Sequence, residues 1–468
     1  MPLAHLLFRC PECGQDPIRG QKDRVVCPSC GTAFRRNRYG DDLEVRRPGG
    51  DTRRTSVVEL LDAITGQDAP PEAGADGPAR RTAPARYHGV LTEDPLRARG
   101  ALLGFVERPG AGRLGRLVLT DEALSFRADG AGKGDHERWR LLDLTALQIS
   151  SGALQVGIGR GRTVEIDLMG ASALRWKLLL EDAIRSAWRD AGRGEIAEFQ
   201  PRIEGAGARS RARDPSAGGD RRRPGYGARR PGATGPRPRG GACPRPSRTL
   251  NPVATLLLGL PLRYLAPTHI EGREHVPREG PFVLVANHAS ILDPLLVQIA
   301  CPRPLYTMTK STEFRTPRLR RLLTKLGAFP VRRYRVDPQV VRVVLGLLDR
   351  GEGVAVYPEA ERTWDGRLQA FRRGTVRLLL KSGVPIVPCG ISGSFELLPR
   401  WSRTPRRGPV TVRFGEPLRW GRHDSRAARE GALDAASGEL RERITALLDG
   451  APPHSRASTD SPATPRST

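Results

Sequence analysis

Apolar positions along the chain recur at two different periods, and the changes of period divide it. Leu117, Leu119, Leu124 and Phe126 interleave with Thr120, Asp121 and Ser125. This alternation predicts one strand over 116–127, and 138–149, 153–159 and 163–168 read as further short strands between glycine-rich turns. Leu174, Leu178, Leu179, Ala183, Ile184 and Trp188 then fall near helical spacing, which predicts a helix over 172–191. From about 250 onward, apolar runs alternate with helical stretches. The strand candidates are 282–286, 353–357, 386–389 and 410–414, and the helix candidates are 294–300, 318–325, 338–349, 373–381 and 433–448. That order predicts an α/β domain around a mostly parallel sheet.

Between these patterned regions the chain has little to bury. Residues 37–86 read as a linker with one short helix, 56–64, and an Ala, Pro and Gly-rich connector ending near Pro84. Residues 199–248 are dominated by Arg, Pro and Gly and are expected to be disordered, as is the tail 451–468. The divisions are therefore 6–36, 37–86, 87–198, 199–248, 249–450 and 451–468. At 468 residues, two or three cores are expected.

The net charge of +26 is unevenly spread. It is +2 over 1–200 (30 Lys and Arg against 28 Asp and Glu), +10 over 201–250 (13 against 3) and +13 over 251–450 (32 against 19). Such a surface suits an anionic membrane or a phosphorylated substrate. Aromatics make up only 5% and do not interleave with the basic residues, which argues against nucleic acid. No apolar run approaches the ~20 residues of a spanning helix, and the first eight residues are too short for a signal, so a cytoplasmic location, peripheral on the membrane's cytoplasmic face, is expected. The segment 253–265 is too short to span. It suits either a helix lying in the membrane interface or a core helix.

Two kinds of residue carry chemistry. Cys10-Pro-Glu-Cys13 and Cys27-Pro-Ser-Cys30 are two close pairs, each a turn able to aim two thiolates at one point. The pattern resembles a zinc ribbon, which implies structural Zn2+ on Cys10, Cys13, Cys27 and Cys30; a redox dithiol is the alternative. A closed four-thiolate site leaves no open position for catalysis and suits stability or the docking of a protein partner.

The second feature is His288, five residues before Asp293, behind the apolar run 282–286. On a straight helix the two would sit about 140° apart, so contact requires a turn entering a helix. Asn287, Ser290 and Pro294 suit such a turn. A histidine held by a carboxylate can move protons near neutral pH. The plainer reading is that Asp293 only caps a helix.

Here the chain resembles the glycerolipid acyltransferases, which include the 1-acylglycerol-3-phosphate acyltransferases. The segment from Asn287 to Pro294 carries their His-four-residues-Asp motif. Gly327-Ala328-Phe329-Pro330-Val331-Arg332-Arg333 resembles the second block of that family. Tyr357-Pro358-Glu359-Ala360-Glu361-Arg362-Thr363 resembles the third, and Val384-Pro385-Ile386-Val387-Pro388 the fourth. Phe414-Gly415-Glu416-Pro417-Leu418 resembles a common closing strand.

The resemblance implies that His288 is a general base oriented by Asp293. Arg333 and Arg362 would bind the acceptor's phosphate, and Glu359 would hold an arginine or accept a glycerol hydroxyl. It also implies an acyl-CoA or acyl-carrier-protein donor and a lysophospholipid-like acceptor, by default 1-acylglycerol 3-phosphate. Glycerol 3-phosphate, another hydroxylated lipid, or a non-catalytic lipid-binding adaptor are the alternatives. Ala360 and Glu361 replace the family's Gly-Thr, and Arg332 stands where an acid is common. An extra anion at Glu361 sits awkwardly with a phosphate. The β-rich segment 87–198, strands closed by one helix, is similar in topology to a pleckstrin-homology or GRAM-type barrel.

Overall fold

The computed structural model describes residues 3–450 apart from 16–18, 22, 38–41, 66–80, 99–100, 131–135, 151, 160, 200–201, 206–260, 334–336, 403, 422 and 424. The linker expected over 199–248 and the tail expected over 451–468 thus lie almost wholly outside the described residues, as does most of 253–265. Only 261–265 of that segment is seen, and it is helical.

The N-terminal unit opens with helix α1 (Leu3–Leu6) and an antiparallel sheet in the order β1 (Arg19–Gln21), β2 (Arg24–Val26), β3 (Ala33–Arg36), β4 (Asp42–Arg46), β5 (Thr52–Ser56). Helix α2 (Val57–Thr65) follows directly. Within the expected linker over 37–86 the one expected helix is α2, and residues 66–80 lie outside the described residues. The addition to that reading in this unit is the pair of strands β4 and β5. Leu43 and Val45 alternate with exposed neighbours on β4 and extend the ribbon's sheet, a signal too short to read as a strand from sequence.

The middle unit is a curled antiparallel sheet in the order β11 (His136–Arg140), β10 (Ala123–Ala128), β9 (Arg113–Leu119), β6 (Arg81–Val90), β14 (Arg162–Leu168), β13 (Ala153–Ile158), β12 (Leu144–Ser150). Helix α3 (Ala173–Asp190) packs its Trp176, Leu180 and Ile184 into the sheet's core. Two expected single strands are each divided. Thr120 takes the Ala123 amide on its side chain and closes a turn between β9 and β10, and a short 3-10 turn (Leu141–Asp143) separates β11 from β12. The unit begins at β6, within the expected connector, where Ala83, Ala85 and Tyr87 are buried at every second position. Between β6 and β9 a hairpin of β7 (Thr92–Ala98) and β8 (Ala101–Arg108) stands apart from the sheet.

A short pair, β15 (Ile196–Glu198) and β16 (Glu204–Gly205), precedes the C-terminal unit. There seven strands run in the order β17 (Thr268–Glu271), β23 (Val410–Phe414), β22 (Ile386–Ser392), β18 (Phe282–Ala286), β21 (Gly353–Val356), β19 (Leu305–Lys310), β20 (Ala328–Val331). All neighbours are parallel except β22 with β23. Every residue of β18 is buried, as expected of a strand covered on both faces. The helices are α4 (Asp293–Ala300), α5 (Pro317–Lys325), α6 (Pro338–Leu348), α7 (Arg373–Ser382), the short α8 (Ser394–Leu397) and α9 (Arg426–Asp449). Strands β17, β19 and β20 are additions to the sequence reading; Tyr306, Thr307, Met308, Thr309 and Lys310 in β19 carry no pure apolar run.

Candidate active site and metal centre

The chain leaves β18 at Ala286 and enters α4 at Asp293, and the loop between them is pinned on every side. Asn287 donates to the Ile391 carbonyl (3.0 Å) and accepts from the Ile391 amide (2.8 Å), tying the loop to β22. Ser290 donates to the Leu398 carbonyl at 3.0 Å. Asp293 is fully buried and begins α4, with Pro294 in the first turn where its missing N–H costs nothing. One of its oxygens, Oδ2, accepts from the Ala289 and Ser290 amides, both at 2.7 Å, and lies 2.9 Å from His288 Nδ1. The expected turn into a helix is the observed conformation. Asp293 both anchors the loop and orients the imidazole.

With Nδ1–H donating to Asp293, His288 Nε2 is left as a proton acceptor. The ring lies on that of Tyr357, with centroids 4.6 Å apart. Burial pushes the His288 pKa below 6.5, against the opposing pull of Asp293, and the charges of Arg333 and Arg362 depress it further. The imidazole is therefore neutral at pH 7, the form a general base needs.

The other expected residues fall in two groups. Glu359 is buried and holds the loop: Oε1 accepts the His288 amide at 2.6 Å and Oε2 the Gln369 amide at 2.8 Å. Burial raises its pKa to about 8 despite those two donors. Its expected arginine partner is thus replaced by backbone amides.

Arg333 and Arg362 belong with the cations. The Arg362 guanidinium makes no hydrogen bond or ion pair among the described residues, and burial together with Arg400 lowers its pKa to about 10. Lys310, at the end of β19, is buried and its pKa falls to about 7, through burial first and then the charge of Arg333. Its amine donates to Ser150 of the middle unit. Arg400 lies over the Trp364 ring at 4.1 Å and donates to the Arg362 carbonyl at 2.8 Å. The charges of Arg333 and Arg362 act on His288, and those of Arg333 and Arg400 on Lys310 and Arg362, so these basic groups lie within electrostatic range of one another. Lys310 and Arg400 were not found from sequence; in a chain with 77 Lys and Arg, neither has local context to single it out.

Glu361 does not point an unpaired anion into this region. Its carboxylate meets Arg400 at 3.0 Å and Arg372 at 3.6 Å, and although burial opposes ionisation, these cations hold its pKa below the usual value. Arg332 is likewise accounted for, paired with Asp337 at 2.8 Å and Glu93 at 2.7 Å. Ala360 has φ of 62°, the one left-handed non-glycine among the described residues, at the position where the resembled family usually has glycine.

In the N-terminal unit the four thiol sulfurs lie within 4.8 Å of one another, with Cys10 to Cys30 at 3.7 Å and Cys13 to Cys27 at 3.5 Å. The edge of a Zn–S tetrahedron is about 3.8 Å. Each pair is followed by a left-handed glycine, Gly14 (φ 75°) and Gly31 (φ 71°), whose amide returns to the carbonyl of the pair's first cysteine. These four residues fit a bound metal ion.

The buried His288–Asp293 pair lies where β18 gives way to α4, at the carboxyl edge of the mostly parallel sheet of an α/β domain. Residues 267–392 match the family model described as Acyltransferase, and the C-terminal unit is an acyltransferase-family domain. The chain is 29% identical over 185 residues to the chloroplastic 1-acyl-sn-glycerol-3-phosphate acyltransferase of Arabidopsis thaliana, covering 39% of this chain and 49% of the relative. It is 26% identical over 182 residues to the 1-acyl-sn-glycerol-3-phosphate acyltransferase of Bacillus subtilis, covering 38% and 86%. Among solved structures it is similar to the 1-acyl-sn-glycerophosphate acyltransferase PlsC of Thermotoga maritima, at 22% identity and a TM-score of 0.34, covering 42% of this chain and 78% of the other. The chain spans about half the length of the first two curated relatives it matches.

Proposed function

We propose that the C-terminal domain transfers a fatty acyl group from acyl-CoA or acyl-carrier protein to a lysophospholipid hydroxyl, with 1-acylglycerol 3-phosphate as acceptor and phosphatidic acid as product. The observation that carries this reading is the buried His288–Asp293 pair set among cations. His288 Nε2 takes the acceptor's hydroxyl proton as the oxygen attacks the thioester carbonyl. The C–S bond then breaks, and the thiolate takes the proton back from His288. Arg333 and Arg362 bind the acceptor's phosphate through multi-donor guanidinium groups. The pairing of Glu361 with Arg400 and Arg372 removes the objection that an extra anion would repel that phosphate.

The test is acyl transfer by purified His288→Ala and Asp293→Ala proteins over a panel of lysolipids. Both should lose transfer while remaining folded. Near-full activity of His288→Ala would overturn the mechanism and favour a lipid-binding adaptor. A panel response to glycerol 3-phosphate alone would move the acceptor.

The four cysteines of the N-terminal unit would hold structural Zn2+, with no open position for chemistry. The middle unit's curled sheet and closing helix support a pleckstrin-homology or GRAM-like module.

The enzyme would work at an anionic membrane surface on its cytoplasmic face. No helix among the described residues is long and apolar enough to cross a membrane. Helix α5, however, buries no residue fully. It exposes Leu319 (38%) and Leu322 (44%) one turn apart, flanked by Arg318, Arg321 and Lys325, none in an ion pair among the described residues. A basic helix with outward leucines suits an anionic lipid interface.

A further inference from the structure

The hairpin β7–β8 belongs to the middle unit by sequence but to the acyltransferase domain by contact. Its Leu96, Leu103 and Val106 form one apolar core with Phe314 and Ala328 of the C-terminal unit. Gly104 lies so close to Pro330 that a Cβ there would stand 2.8 Å from both the Pro330 ring and its carbonyl oxygen. Polar contacts complete the seat. Ser311 donates to the Glu107 carboxylate, Arg315 to the Glu107 carbonyl at 2.7 Å, and Gln339 to the Leu102 carbonyl at 2.6 Å.

The contact with a functional consequence is at Arg332. This residue is only 8% exposed. Its Nε and Nη2 both reach Asp337 at 2.8 Å, its Nη1 reaches Glu93 of β7 at 2.7 Å, and its guanidinium lies 4.2 Å from the ring centre of Phe105 in β8. Each guanidinium nitrogen of Arg332 donates to a carboxylate of the protein, so it is a strut rather than a ligand. Next to it in the chain is Arg333, whose charge acts on His288, Lys310 and Arg362. Arg332 follows β20 directly and Arg333 begins a turn; Asp337 holds both the Arg332 amide (3.4 Å) and its guanidinium, so the clamp on Arg332 fixes the backbone from which Arg333 projects.

We propose that the β7–β8 hairpin is a working part of the acceptor site, in which Glu93 and Phe105 act as positioning residues that hold Arg332 and thereby keep Arg333 beside His288. This rests on the reading of Arg333 as a phosphate ligand. An interdomain clamp of this kind would make the middle unit necessary for recognising a phosphate-bearing acceptor and dispensable for proton transfer itself.

Steady-state kinetics of the full-length protein test it, with lysophosphatidate and acyl donor varied in turn, for Glu93→Gln, Glu93→Asp, Phe105→Leu and Arg333→Ala. Glu93→Gln and Phe105→Leu should each raise the KM for lysophosphatidate about tenfold, the effect of a small misplacement of a binding group. The donor's KM and kcat should stay within about twofold, and Glu93→Asp should recover most of the loss. If Arg333→Ala raises that KM while Glu93→Gln and Phe105→Leu leave it unchanged, the hairpin proposal falls and the acyltransferase reading stands. An equal loss in kcat and in both KM values, with a lower melting temperature, reduces the hairpin to scaffolding and also overturns it. No effect of Arg333→Ala removes both the clamp and the phosphate assignment.

Discussion

His288 is a residue whose chemistry is set by what surrounds it. Burial and two nearby guanidinium groups lower its pKa from 6.5, and Asp293 only partly offsets them. The proposed general base works only when neutral, so activity should be full above the lowered pKa and be lost as pH falls through it. The acid limb of the kcat/KM profile should therefore lie below pH 6.5. A limb above that value would contradict the burial argument.

Ala360 is the complementary case, a residue set against its own preference. A left-handed alanine costs about 1–2 kcal/mol over glycine in that conformation, partly offset by glycine's freer unfolded chain. Ala360→Gly should raise stability by about 1 kcal/mol, read as a higher denaturation midpoint; a lower midpoint would mean that the methyl group packs. At this scale the sequence was informative where the partners are close along the chain. His288 and Asp293 lie within one loop, whereas Arg400 and Lys310 reach the same region from other elements and could not be told from surface charge.

At the scale of elements, α5 shows how little a periodic pattern says about what a face meets. Its helical run was legible, but Leu319 and Leu322 point outward and only Leu323 packs against buried residues. Replacing Leu319 and Leu322 by Gln should reduce partition of the full-length protein onto vesicles containing anionic lipid about tenfold, the loss of part of two apolar side chains from the interface. Thermal stability should stay within about 0.5 kcal/mol, as for surface substitutions. Unchanged partition would assign membrane contact elsewhere.

Strands were legible where they are buried on both faces, as in β18 and β13. They were missed where a short edge strand carries polar residues, as in β17 with Thr268, His269 and Glu271. Turns inside a longer alternation were also missed, since Thr120 and Asp121 fit a strand's polar positions as well as they fit a turn.

At the scale of the molecule, the four-cysteine cluster and the His288 loop share one apolar core. Cys10 and Cys27 pack with Leu3, Phe34 and Val57, and the same cluster continues to Leu174 of the middle unit and to Ala289, Phe395 and Trp401 of the C-terminal unit. Four thiolates of a structural site contribute folding energy only while the metal is bound. Cys13→Ser, or a strong chelator, should abolish stoichiometric zinc. It should also make residues 3–65 sensitive to protease and lower transfer activity, because the core behind Ala289 loosens. Full protease resistance without metal would show that the ribbon stands on its apolar core alone.

The sequence by itself determined the pieces whose partners are near neighbours in the chain: the paired cysteines, the His–Asp turn, the alternation of strand and helix, and the order of the family's blocks. Contacts of that range are set by local geometry and period, which a sequence displays directly. Only the tertiary structure decided that Glu361 is neutralised by Arg400 and Arg372, that Glu359 holds backbone amides, and that a hairpin beginning at Thr92 closes on Arg332. Those outcomes depend on which surfaces meet across hundreds of residues, where burial and complementary charge choose among many equivalent basic side chains.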